Sequence, residues 1–132
     1  MTEATLEHVN ITVSDPQATA DWLIRLFGWT VRWSGDAKDE GFSVHVGGVG
    51  SYIALYRGTG DQVRAPVGAD GTSYGASGGL NHIAITVDDL DATEAGVKSL
   101  GFTPRAHGDY EPGRRFYFYD HDGIEWEMVS YR

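Results

Sequence analysis

The chain contains an internal repeat that is much longer than a single helix or strand. The stretch LEHVNITVSD at residues 6–15 returns as LNHIAITVDD at residues 80–89, so His8 and His82 are separated by 74 residues. One copy alone leaves an apolar face uncovered, and two copies can bury these faces against each other. The repeat therefore predicts two equivalent modules, and a side chain present in both copies is expected at a shared axis.

Each copy is predicted to fold in the order β-α-β-β-β. Residues 6–13 alternate polar and apolar side chains, as a half-buried strand does. A helix should follow, because Asp15 can cap it, Pro16 suits its first turn and Gly28 can end it. The predicted strands are 6–13, 29–34, 41–46, 52–56, 80–87, 103–107, 115–119 and 124–130, and the second predicted helix runs from Asp89 to Leu100 before Gly101.

This order defines an α+β protein with one domain, residues 1–132, made of two tandem modules. Module 1 is assigned to residues 5–57 and module 2 to residues 80–131. The connection 58–79 contains seven glycines. It is longer than most connections, which predicts either a functional loop or a linker that lets the modules separate.

Composition excludes several classes of protein. The net charge of −9 and the pI near 4.8 argue against nucleic acid and anionic membranes as partners. Cysteine is absent, which excludes disulfides and thiolate chemistry. The N-terminal residues show no signal-peptide pattern, and no apolar stretch reaches the ~20 residues that cross a bilayer. A cytoplasmic protein is expected.

Three side chains at repeat-equivalent positions are candidate metal ligands. Matching the turn glycines before the last strand of each module aligns Ala54 with Glu127. The repeat then offers His8, His82 and Glu127 as ligands, with a methyl group at the fourth position. Two imidazoles and a carboxylate with open positions suit a divalent ion such as Fe²⁺, Mn²⁺, Zn²⁺ or Ni²⁺.

The chain resembles the vicinal oxygen chelate superfamily, which includes glyoxalase I, extradiol dioxygenases, and fosfomycin- and bleomycin-resistance proteins. The resemblance rests on the paired modules, on His8 and His82, and on the run YFYDHDG at 117–123 before Glu127, with His121 where the family usually has proline. It implies a cupped mixed sheet with helices on its outer face. It also implies a metal in the cup, held by the three candidate ligands, and a homodimer that completes the site.

Departures from the family pattern favour one branch. Glyoxalase I usually carries a glutamate at the position of Ala54, and residues 106–115 lack the lysine- and serine-bearing phosphate loop of fosfomycin-resistance enzymes. Two histidines and one glutamate match extradiol dioxygenases best. The resemblance thus implies a metal-dependent enzyme that binds a small substrate through two vicinal oxygens, with dioxygenase-type chemistry favoured over glyoxalase-type lyase chemistry. The alternative is a metal-free, bleomycin-resistance-like binding protein, which the acidic charge and the tryptophans would suit.

Further polar and aromatic side chains are candidates for catalysis and substrate binding. A histidine can act as acid or base near neutral pH, and an arginine can hold an anionic substrate through paired hydrogen bonds. Each has a structural alternative, such as a sheet-face histidine or a solvated arginine. Glu125 shares a strand face with Glu127 and is its rival as ligand, although the repeat register favours Glu127. The candidates are His45, His107 and Tyr117 for catalysis, and Trp33, Arg115 and Tyr117 for substrate binding.

Overall fold

The computed structural model describes residues 2–132, which divide into two compact units. The first unit ends at Gln62, and the second is Val63–Arg132. The boundary falls inside the segment 58–79. Each unit has the predicted order β-α-β-β-β and forms its own four-stranded mixed sheet.

In the first unit, the sheet order is β1-β4-β3-β2, with β1 parallel to β4 and the other pairs antiparallel. A short 3₁₀ turn, Lys38–Glu40, lies between β2 and β3. The elements are β1 (His8–Thr12), α1 (Pro16–Phe27), β2 (Thr30–Asp36), β3 (Phe42–Gly47) and β4 (Tyr52–Arg57).

The second unit repeats this topology with the order β5-β8-β7-β6, and β5 is parallel to β8. A 3₁₀ turn, Ser73–Gly75, precedes its first strand. The elements are β5 (Ile83–Thr86), α2 (Leu90–Ser99), β6 (Arg105–Tyr110), β7 (Gly113–Tyr119) and β8 (Glu125–Ser130).

Both helices begin where their capping residues predict. An Asp15 carboxylate oxygen accepts a hydrogen bond from the Ala18 amide at 3.2 Å, and Asp89 does the same for Ala92 at 3.0 Å. Gly28 ends α1 in the left-handed conformation, with φ of 70°. These contacts satisfy amide groups that a helix end leaves unpaired. No helix in the described residues is long and apolar enough to span a membrane.

Each sheet packs one face against its helix and leaves the other for polar and aromatic side chains. Val44 and Leu55 are fully buried on the α1 side of the first sheet, and Phe116 and Met128 are their counterparts in the second. Side chains on alternate residues point to the opposite face. The candidate site residues on β3, β4, β7 and β8 lie mainly on this second face.

The strand register confirms the alignment of the two repeats. Ala54 lies opposite Asn10 on β1, and Glu127 lies opposite Ala84 on β5. Asn10 and Ala84 are separated by 74 residues, as His8 and His82 are. Ala54 and Glu127 therefore occupy equivalent positions in the two sheets.

Two predicted strand ends differ from the structure by three residues, whereas the other ends agree to within two. The strand predicted from residue 80 begins at Ile83, because the Asn81 side chain instead accepts a hydrogen bond from Ser73 in the preceding turn at 3.0 Å. The strand predicted at 103–107 runs as Arg105–Tyr110, with a bulge between Arg105 and Gly108. Ala106, at φ of 54°, takes up the bulge in a backbone conformation that favours glycine.

Candidate metal centre

The second unit brings His82 beside two buried carboxylates. Glu125 and Glu127 lie on the same face of β8 and are 8% and 7% exposed. His82 directly precedes the neighbouring strand β5. Its Nε2 atom is 3.2 Å from Glu127 Oε1, and its Nδ1 atom is 3.7 Å from Glu125 Oε1. Two of the three predicted ligands are therefore adjacent.

Each carboxylate has its own cation and its own tyrosine hydroxyl. Arg115 Nη1 donates to Glu127 Oε2 at 3.4 Å, and the Tyr117 hydroxyl also hydrogen-bonds to Glu127. Arg105 pairs with Glu125 Oε2. Partners of this kind lower the cost of burying two like charges on one strand.

Burial and the hydrogen bond to Glu127 raise the pKa of Tyr117 above its usual value. Its hydroxyl therefore keeps its proton at neutral pH. Tyr117 can then donate a hydrogen bond, and it is a poor general base. Its ring also contacts the His82 ring edge-on, at a centroid distance of 5.6 Å.

Tyr74, which the sequence did not single out, links His82 to Glu125. Its hydroxyl donates to Glu125 Oε1 at 2.7 Å and lies 3.1 Å from His82 Nδ1. A hydroxyl has one proton, and here that proton points at a carboxylate. The Tyr74 oxygen is therefore free to accept a second hydrogen bond from the His82 Nδ1 side.

A turn before β8 fixes the strand that carries both carboxylates. Asp120 Oδ1 accepts from the amides of Asp122 at 2.8 Å and Ile124 at 3.0 Å, and Oδ2 accepts from Trp126 Nε1 at 3.0 Å. Burial raises the pKa of Asp120, and these three donors act in the opposite direction.

The equivalent face of the first unit is aromatic. The rings of Trp33, His45, Tyr52 and His8 form a continuous series, with successive centroids 5.0, 4.8 and 4.7 Å apart. The Arg32 guanidinium lies over Tyr52, 4.5 Å from the ring centre. Burial, followed by the charges of His8 and Arg32, lowers the pKa of His45.

His8 has an acidic neighbour within this unit. Its Nδ1 atom lies 2.8 Å from Glu7 Oε1, which also accepts from the Tyr52 hydroxyl at 3.3 Å. The hydrogen bond from His8 is the main cause that lowers the pKa of Glu7. Ala54, at the position equivalent to Glu127, is 1% exposed.

The structure does not bring His107 to the face that carries Tyr117 and Glu127. Its Nε2 lies 2.7 Å from Glu94 of α2, and its ring stacks on the buried Phe116. Phe116 and Tyr117 are adjacent on β7 and thus lie on opposite faces. The bulge in β6 turns His107 toward the helix, so a catalytic role for His107 beside Tyr117 lacks geometric support within this unit.

Other predicted residues divide between the units. Trp33 and His45 are neighbours in the first sheet, while Arg115 and Tyr117 both contact Glu127 in the second. Arg105 and Tyr74 were missed. Arg105 lies opposite Tyr117 as Trp33 lies opposite His45, an equivalence that the strand register shows and the sequence repeat, which aligns Arg105 with Arg32, does not. Nothing in the sequence pattern marks Tyr74.

His82 and Glu127 supply two adjacent donor atoms, whereas a complete metal site needs at least three protein ligands. Among residues 2–132, no group of three or more histidine, aspartate and glutamate side chains is arranged to hold a metal ion. The spacing of His82 Nε2 and Glu127 Oε1 nevertheless suits two ligands of one ion. With bonds of about 2 Å, such atoms lie roughly 3 Å apart.

Comparisons with known proteins identify the class. The family model of the Glyoxalase/Bleomycin resistance protein/Dioxygenase superfamily matches residues 5–128, and the chain belongs to this superfamily. The predicted family and fold are therefore confirmed. No curated protein sequence matches the chain significantly.

Solved structures with the same fold have diverse descriptions. A glyoxylase/bleomycin resistance protein/dioxygenase domain from Frankia sp. EAN1pec has a TM-score of 0.79 at 21% identity, covering 99% of this chain and 94% of that chain. The fosfomycin resistance protein FosX from Listeria monocytogenes, complexed with Mn(II) and sulfate, has a TM-score of 0.69 at 22% identity, covering 98% and 93%. TnmS3, an antibiotic-binding protein from Streptomyces sp. CB03234, has a TM-score of 0.71 at 17% identity, covering 98% of both chains.

Proposed function

We propose that the protein is a divalent-metal-dependent enzyme that binds a small substrate through two vicinal oxygens. The observation that carries this proposal is the 3.2 Å approach of His82 Nε2 to Glu127 Oε1, with Nδ1 engaged by Tyr74. In a neutral His82, two lone pairs then face each other in a half-buried position. A cation between them would turn this repulsion into attraction.

The surroundings of Glu127 suit a carboxylate that offers one oxygen to an ion. Arg115 binds Oε2, which leaves Oε1 on the side of His82. His8, at the repeat position equivalent to His82, stays the predicted third ligand. A bound Fe²⁺, Mn²⁺, Zn²⁺ or Ni²⁺ would act as a Lewis acid toward the two substrate oxygens.

Arg115 also supports an anionic substrate group. Its Nε and Nη2 atoms are buried and have no hydrogen-bond partner. Unpaired buried donors are costly, and a carboxylate or phenolate oxygen of a substrate would satisfy them once a side-chain movement opens a path to these atoms. Tyr117, whose one proton is donated to Glu127, would hold that carboxylate in place rather than remove a proton from the substrate.

The residue at position 54 favours dioxygenase-type over glyoxalase-type chemistry. Ala54 supplies no carboxylate for proton transfer at the position equivalent to Glu127. A structural neighbour, FosX, is described as a complex with Mn(II), which is consistent with a metal-dependent member of the fold.

Metal analysis of protein purified without chelator tests the proposal. We expect about one divalent transition-metal ion per chain, bound through a small set of nitrogen and oxygen ligands. Protein that is folded and free of metal, and that takes up none when Fe²⁺, Mn²⁺, Zn²⁺ or Ni²⁺ is added, would contradict it.

A second candidate function is metal-free binding of a flat aromatic molecule. The ring series of Trp33, His45, Tyr52 and His8 favours it, since such surfaces stack planar ligands. A neighbour in the fold, TnmS3, is described as antibiotic-binding. Quenching of tryptophan fluorescence by a planar aromatic probe, unchanged by chelator, would favour this candidate over the enzyme.

A further inference from the structure

The glycine-rich segment before β5 is folded around its own hydrogen bonds. The Gly68 amide donates to the Thr72 carbonyl at 2.9 Å. The Asp70 carboxylate accepts from the Thr72 amide at 3.0 Å and from its hydroxyl at 2.9 Å, and the backbone bond is the main cause that lowers the pKa of Asp70. Residues 68–79 thus form a compact loop rather than an extended linker.

Two glycines in this loop are required by close approach. A Cβ atom on Gly68 would collide with the Gly75 backbone, and one on Gly75 would collide with the Asp70 carboxylate. The absence of a side chain at Gly68 and Gly75 therefore lets the 3₁₀ turn Ser73–Gly75 pack closely against the rest of the loop. The turn presents Tyr74 to His82 and Glu125, and Ser73 ties it to Asn81 beside His82.

We infer that Tyr74 and Glu125 form a hydrogen-bond relay that holds His82 in the tautomer protonated at Nδ1. The relay runs from His82 Nδ1–H to the Tyr74 oxygen, and from the Tyr74 hydroxyl to Glu125 Oε1. Arg105 holds the other oxygen of Glu125. The Nε2 lone pair is thereby directed to the Glu127 side, so Tyr74 and Glu125 are positioning residues.

Arg105 is itself fixed in place. Its guanidinium lies over the Tyr119 ring, 4.1 Å from the centre, and this contact limits its movement away from Glu125. The equivalent position to Glu125 in the first unit is Tyr52, which cannot accept a charge-assisted bond in the same way. The relay therefore belongs to the second unit alone.

The consequence for metal binding rests on the proposed function, whereas the tautomer does not. Groups that orient a ligating histidine typically change metal affinity by about 10- to 100-fold when removed. Without the Tyr74 hydroxyl, His82 can protonate Nε2 and donate directly to Glu127 Oε1. That tautomer cannot bind a metal through Nε2.

The test compares wild type, Tyr74→Phe and the control Tyr131→Phe, which removes the hydroxyl of an exposed C-terminal tyrosine. Nitrogen-15 NMR of the metal-free proteins, with His82 assigned by its loss in His82→Ala, reports the tautomer. We expect Nδ1–H in wild type and in Tyr131→Phe, and a shift toward Nε2–H in Tyr74→Phe. Titration with Mn²⁺ should show about 10- to 100-fold weaker binding for Tyr74→Phe alone.

The outcomes separate the relay from the metal proposal. An unchanged His82 tautomer in Tyr74→Phe would overturn the relay, whatever the metal does. A changed tautomer with unchanged Mn²⁺ affinity would overturn the positioning role. Wild type that binds no metal would contradict the proposed function, and the nitrogen-15 spectra would still decide the relay.

Discussion

The two sheets share one topology and differ in the chemistry of the face turned away from the helix. Three cross-strand neighbours in the first sheet are aromatic, imidazole or methyl side chains, and their equivalents in the second are a cation, a phenol and a carboxylate. The positions are Trp33, His45 and Ala54 in the first unit, and Arg105, Tyr117 and Glu127 in the second.

The helix-facing sides have diverged much less. Ile53 and Leu55 are buried in the first unit, as Trp126 and Met128 are in the second. Burial of apolar area stabilises each sheet against its helix, so these positions must stay apolar. The opposite face is free of that constraint. A repeated fold can therefore keep its core while one copy holds carboxylates and the other holds stacked rings.

The largest stability effect is expected at the turn before β8, where only the second unit has a buried carboxylate. Asp120→Ala would leave the amides of Asp122 and Ile124 and the Trp126 indole without their acceptor. We expect a loss of about 3 kcal/mol in the free energy of unfolding, because unpaired buried donors cost roughly 1–3 kcal/mol each with partial relaxation. Urea unfolding measures it.

Asp122→Ala in the same turn is the matched control. Its carboxylate pairs with His121 at 3.5 Å near the surface, and such pairs contribute about 0–1 kcal/mol. Equal losses for the two variants would show that the turn does not depend on the buried acceptor. The corresponding turn of the first unit, residues 48–51, contains no carboxylate.

A smaller loss of stability is expected for Ala54→Glu, which places in the first sheet the carboxylate that the second sheet has at Glu127. Ala54 is 1% exposed, so Ala54→Glu must fit a longer side chain and a charge into a closed position. Overpacking alone costs about 1–3 kcal/mol. Ala54→Gln has the same size without the charge, and urea unfolding of both variants at neutral pH separates the two costs.

We expect Ala54→Glu to be less stable than Ala54→Gln by about 1 kcal/mol or more, because a buried charge without a partner is disfavoured. The gap should close at acid pH, where the glutamate is protonated. Equal free energies of unfolding for Ala54→Glu and Ala54→Gln would mean that groups in the first sheet already stabilise a negative charge at position 54.

The smallest effect is a pH dependence of the first unit. Burial lowers the pKa of His45 below its usual 6.5, so the unfolded chain binds this proton more readily than the folded one. The stabilisation is present above pH 6.5 and is lost as the pH falls toward the folded-state pKa. His45→Phe keeps an aromatic ring and should remove this part of the pH dependence.

Urea unfolding of wild type and His45→Phe at about pH 8 and about pH 5.5 tests the sign. The wild type should lose more stability on acidification than the variant does. An identical loss in both proteins would assign the pH dependence to other groups.

Much of the fold follows from the sequence because its signals are local. Asp15, Pro16 and Gly28 mark the first helix, and the alternation of residues 6–13 marks the first strand. The repeat also predicts the equivalence of Ala54 and Glu127, which the strand register confirms. The predicted start of β5 was wrong at residues 80–82, where a side-chain contact between Asn81 and the preceding turn replaces strand pairing.

The site was only partly predictable, since its contacts depend on tertiary structure. The adjacency of His82 and Glu127 follows from the repeat and a parallel strand pair. Tyr74 comes from a glycine-rich loop whose path has no periodic signal, and His107 is turned away by a bulge with Ala106 at φ of 54°. The role of His8 as third ligand stays a prediction.

Metal content of wild type, His82→Ala and His45→Ala tests the central claim most directly, namely that His82 of the second unit binds the metal ion and His45 of the first unit does not. We expect about one divalent ion per chain in wild type and in His45→Ala, and none in His82→Ala, because His82 offers the donor atom next to Glu127. Metal retained by folded His82→Ala, or lost equally from His45→Ala, would contradict the account.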